Sequence, residues 1–225
     1  MKLYPLAIVA GALPILTIYF CYWLAASTGH VPACIPYFQS CTSISSSGRV
    51  GVEFYIFKGL MIPAACLILV FWYYCCEWLN LLGSSQLGLR RFIIGLGAIA
   101  CLGLILYSLM LGAIGPEYRV QRRIGVITFF TMSFFAQMLF TVALVKLRQY
   151  KTRFRTERRI LLFALLIIVL FAVSAVVISS IDSKVYDTVE DAFEWWVTSI
   201  LSFFPLLVGV LWRKTEFKTN FSVRA

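Results

Sequence analysis

Histidine is almost absent from this chain: His30 is the single one in 225 residues. A catalytic zinc site built on several histidines needs three protein ligands and an open position, so that chemistry is excluded. His30, Cys34 and Cys41 match no common zinc spacing, and no metal or cofactor is expected. Charge is scarce too. Only 13% of the residues are charged, where a soluble domain carries about a quarter, so water alone does not cover this surface. No polar stretch is long enough for a second domain, and one domain over 1–225 is expected. There is no internal repeat, which removes the paired broken helices of a transporter with inverted halves.

What is present is apolar sequence, 61% of the chain, gathered into six runs. They cover about 6–26, 54–74, 92–114, 124–145, 160–181 and 193–212. About 20 helical residues at a rise of about 1.5 Å match a hydrocarbon core of about 30 Å. The expected fold is an all-α integral membrane protein, a bundle of six transmembrane helices. The first run, Leu6 to Leu24, is too long for a signal-peptide core and reads as a retained helix. Small residues in the third run, among them Gly97 and Gly103, suit close helix packing, and Gln137 in the fourth suits a hydrogen bond across helices.

Twenty Lys and Arg against ten Asp and Glu give a net charge of +10. With six alternating spans, fourteen cations fall on one side: Lys2, Arg90, Arg91, those of 146–159, and those after the last span. The other side holds six: Arg49, Lys58, Arg119, Arg122, Arg123 and Lys184. This bias places both termini in the cytoplasm and argues against nucleic acid as a partner. The three arginines after the third run fit the rule least well. Anionic head groups are expected at the basic loop 146–159. Asn220-Phe221-Ser222 is a glycosylation sequon on the cytoplasmic side, where it is not used.

The first loop is the longest and most polar, with serines from Ser40 to Ser47. A serine nucleophile needs a base, and the loop offers His30 and Glu53; a polar loop whose hydroxyls satisfy backbone groups is the simpler account. Cys34 and Cys41 form either a disulfide or two free thiols, which spacing leaves open. Cys75 and Cys76, at the cytoplasmic end of the second run, are candidates for palmitoylation or for plain packing. Ionisable groups at the outer boundary are the best site candidates, because a charge inside an apolar span is costly without a partner. Lys58 is expected to pair with Glu194 or Glu53, the alternative being snorkelling to the interface.

The order of motifs resembles a known family. Gly29-His30-Val31-Pro32, Ile35-Pro36-Tyr37 and Ser43-Ile44-Ser45 with Gly48 are followed by Glu53 and Tyr55-Ile56-Phe57-Lys58. The fourth run opens Gly125-Val126-Ile127-Thr128-Phe129-Phe130, the sixth carries Glu194-Trp195, and Glu216-Phe217 comes after. This resembles the Frag/DRAM/Sfk family, the damage-regulated autophagy modulators and their relatives in GPI-anchor lipid remodelling and plasma-membrane lipid organisation. Relatives often have a histidine just before the fourth span; here the stretch reads Val120-Gln121-Arg122-Arg123. The resemblance implies an endomembrane or plasma-membrane protein that organises, presents or senses membrane lipid without catalysis. An enzyme or subunit in GPI fatty-acid remodelling, an autophagy modulator and a small-solute channel are the alternatives. The expected head-group pocket comprises Ser43, Ser45, Gly48, Arg49, Glu53, Lys58, Glu194 and Trp195, with Arg49 and Lys58 on phosphate, Glu53 and Glu194 holding those cations, and Trp195 at head-group level.

Overall fold

In the computed structural model, residues 2–84, 86–147, 155–181 and 183–218 are described. They form eight helices and no strand. Six are long: α1 (Tyr4–Ser27), α4 (Gly51–Leu81), α5 (Leu87–Met110), α6 (Pro116–Lys146), α7 (Arg155–Ile181) and α8 (Ser183–Lys214). Two are single turns in the first loop, α2 (Pro36–Gln39) and α3 (Ile44–Ser47). Five helices are long and apolar enough to cross a membrane: α1, α4, α5, α6 and the Thr188–Lys214 part of α8. α7 lies at the place of the expected fifth span, with Arg159–Ser174 as its apolar stretch among the described residues.

Helix ends follow backbone chemistry more than hydropathy. The expected third run continues to Ile114, but α5 stops at Met110. Gly112 (φ +80°) and Gly115 (φ +140°) make a turn that a side chain would strain. Pro116 then opens α6, where its missing N–H costs no helical bond. α6 therefore begins well before the expected Ile124, and α4 runs past the expected Tyr74 to Leu81.

The helices pack in the order α6, α5, α4, α1, α8, α7. α7 and α8 meet α6 only loosely, so the ring closes at a weak seam. Apolar burial gives little drive between helices in lipid; close packing and hydrogen bonds hold them together. On the α5–α6 contact a Cβ on Gly103 would lie 2.8 Å from the Gly125 carbonyl, and one on Gly125 would lie 2.7 Å from the Tyr107 nitrogen. Bare backbone thus meets bare backbone. The core is aromatic: Trp72, Phe140 and Phe204 contact one another pairwise.

Proline shapes α8 as well. Pro205 has no N–H for the Leu201 carbonyl one turn back, and Gln137 Nε2 donates to that oxygen at 3.0 Å. At the other end of the bundle Leu3 N donates to Phe217 O at 3.3 Å, so the first and last described segments lie side by side.

Candidate functional site

The first loop is fixed at both its flanks. Cys34 and Cys41 are joined in a disulfide, with Cα atoms 6.7 Å apart. Tyr22 of α1 donates its hydroxyl to Cys34 O at 2.6 Å and accepts from Cys34 N at 2.8 Å. From α8, Trp195 Nε1 donates to Thr42 O at 2.9 Å and Trp196 Nε1 to Tyr37 O at 3.2 Å. The Tyr37 hydroxyl bonds Ser199 Oγ at 2.6 Å and also meets the Tyr19 hydroxyl. Burial pushes Tyr37 up to about 12, so it stays protonated and able to donate. Ser43 caps α3, its Oγ accepting from Ser46 N at 3.0 Å. Glu194 reaches the same turn and accepts from Ile44 N at 3.1 Å.

Beneath this loop a cavity of about 910 Å³ opens at the weak seam of the ring. One part of its wall is cationic: Arg49 from the loop, and Arg119, Arg122 and Arg123 from the first turns of α6. Another is acidic, with Glu190, Asp191 and Glu194 from α8. Ser43, Ser45 and Ser46 add hydroxyls. A further part of the wall is apolar, formed by Val126, Ile127 and Phe130 of α6, Ala172 of α7 and Val197 of α8. None of the four guanidinium groups pairs with these carboxylates; Arg49 Nη2 instead donates to Ser45 Oγ at 3.0 Å. Tyr107, 5% exposed, also lines the cavity, and its hydroxyl has no hydrogen-bond partner among the described residues.

Of the eight residues expected to form a head-group pocket, Ser43, Ser45, Arg49 and Glu194 line this cavity. The other four are elsewhere. Gly48 packs against α4, where a Cβ would meet the Phe57 ring at 2.6 Å. Glu53 is buried and bonded to His30 Nδ1, which also contacts Thr28 Oγ1 at 3.1 Å. Trp195 is fully buried, pins the loop through Thr42 O and does not line the cavity. The expected pairing of Lys58 with Glu194 or Glu53 is corrected: Lys58 Nζ donates to Leu109 O at 3.0 Å and lies 4.0 Å from the Phe54 ring centroid. A cation at the C-terminal end of α5 meets carbonyls that have no partner in their own helix.

Cys75 and Cys76 are buried where α4 continues past the apolar run, and Cys76 Sγ donates to Arg90 O at 3.3 Å. That packing leaves neither sulfur exposed for acylation. Residues 148–154 of the basic loop, and Asn220, lie outside the described residues.

Tyr107, Arg122 and Asp191 line the cavity as well, although they are not among the expected pocket residues. A signal existed for the arginines: three cations on the expected outer side, against the general bias. They gather at the cavity together with Arg49.

Fold and cavity together define a multi-pass helical membrane protein with a charged chamber under a clamped loop. The family model of the Frag1/DRAM/Sfk1/Cwh43P N-terminal domain matches residues 2–210. The chain belongs to that family. No curated protein and no solved structure matches it.

Proposed function

We propose that this protein binds a membrane phospholipid by its head group and organises, presents or senses that lipid without catalysis. The observation that carries the reading is the cavity: four arginines at its polar end and an apolar strip facing the seam between α6 and α7. Arginine matches phosphate oxygens with paired N–H donors, and the apolar strip suits acyl chains. A volume of about 910 Å³ is at the upper end of the usual range for small-molecule sites. The serine string supports a binding role. Ser43 Oγ caps α3, Ser45 Oγ accepts from Arg49, and Ser47 Oγ donates to Ser43 O. His30, the natural candidate for a base, is held by Thr28 and Glu53 and does not line the cavity.

In this reading α7 also crosses the membrane, which brings the number of crossings to six. The contact between Leu3 and Phe217 supports it, because two ends on one face require an even number of crossings. The charge bias makes that face cytoplasmic. The clamped loop then faces an oxidising compartment or the cell exterior, a setting in which a Cys34–Cys41 bond persists.

The test is lipid retention. Protein purified in mild detergent is expected to keep phospholipid through washing, as measured by native mass spectrometry. Arg122→Gln combined with Arg119→Gln is expected to lower the retained fraction roughly tenfold, the loss of about one charge-assisted contact. Equal retention by wild type and a correctly folded variant would overturn the reading.

A further inference from the structure

We infer that the head group held in this cavity carries both a phosphate and a primary ammonium, with the acyl chains leaving along the seam between α6 and α7. This inference rests on the lipid reading of the same site and narrows it to one head-group chemistry.

The cavity is dipolar. Its arginines come from the first loop and α6, and its carboxylates from α8. Arg and Glu side chains that share a cavity ordinarily close into pairs, since a charge at a membrane boundary gains from its opposite. Here no such pair forms between them. One ligand with charges of both signs answers both walls at once. A polyanionic head group would satisfy the arginines but face Glu190 and Asp191, and a simple cation would meet four guanidinium groups; each mismatch is unfavourable.

Tyr107 gives an independent pointer. A buried tyrosine hydroxyl ordinarily has a partner, and this one has none among the described residues although it lines the cavity. The Tyr107 backbone nitrogen lies against Gly125 of α6, within one helical turn of Arg122 in sequence. A phosphate oxygen accepts a hydrogen bond from such a hydroxyl as readily as from a guanidinium. For the cationic end, a primary ammonium has three N–H donors, which carboxylate oxygens of Asp191 and Glu190 accept; a quaternary ammonium has none.

The test uses nanodiscs holding equal amounts of phosphatidylethanolamine, phosphatidylcholine and phosphatidylglycerol. Lipid that stays with the protein on ejection is counted by native mass spectrometry. The ethanolamine lipid is expected to be enriched roughly tenfold over both others. Glu190→Gln with Asp191→Asn is expected to abolish that preference and raise the glycerol lipid, while Tyr107→Phe lowers all three. Soluble O-phosphoethanolamine, added in calorimetry, is expected to bind far more weakly than the lipid. Equal affinity for the soluble compound would overturn the acyl-chain part.

The outcomes separate the two claims. Enrichment of the glycerol or choline lipid at or above the ethanolamine lipid would overturn the dipolar head group and leave a phosphate pocket. Absence of enrichment of any lipid, unchanged by Arg122→Gln, would remove both. Thermal midpoints measured for each variant by size exclusion separate loss of fold from loss of binding.

Discussion

At the scale of single residues, position decides which polar groups line the cavity and which hold the scaffold. Arg49 and Glu194 line the cavity, whereas Glu53 and Lys58, of the same chemistry, are satisfied by His30 and by the Leu109 carbonyl. Gly48 belongs to the scaffold. A Cβ there would lie 2.6 Å from the Phe57 ring, and Phe57 is fully buried. Gly48→Ala is therefore expected to destabilise the protein by roughly 1–3 kcal/mol, the usual cost of overpacking. Phe57→Leu in the same chain should recover part of that loss. A thermal series by size exclusion in detergent checks both; an unchanged midpoint in Gly48→Ala would contradict the packing described.

At the scale of elements, proline and small residues set how the helices meet. Gln137 on α6 completes the bond that Pro205 denies to Leu201 on α8. Gln137→Met is expected to cost roughly 1 kcal/mol, typical of one hydrogen bond between membrane helices. In a Pro205→Ala background the backbone N–H of residue 205 can serve Leu201 instead, so the same change should cost much less. The double-mutant cycle measured by SDS unfolding is the check, and additive costs would show that the two residues act independently. The notion that Gln137 bonds across helices was readable from its place in an apolar run. Its acceptor was not, because α6 and α8 meet only after the chain has folded.

At the scale of the whole molecule, the proposed function rests on the seam between α6 and the α7–α8 pair. It interrupts an otherwise closed ring and lies directly beneath the clamped loop. The proposed six crossings with cytoplasmic ends make a direct prediction about sides. An accessible tag at residue 46 and one at residue 151 should report opposite compartments when labelled in sealed vesicles. Labelling of both from the same side would contradict six crossings, while leaving the geometry of the cavity as described.

Composition and hydropathy by themselves determined the class. A chain this apolar and this poor in charge can bury its surface only in lipid, and backbone groups in lipid must bond within helices. The order of motifs pointed to the family, and four of the eight expected pocket residues line the cavity. Tertiary structure alone decided the rest. Whether a carboxylate such as Glu53 meets a histidine, or an arginine such as Arg122 meets open space, depends on which helices pack side by side. Contacts between residues as distant in sequence as Ile44 and Glu194 are set by the closing of the ring, which no local pattern encodes.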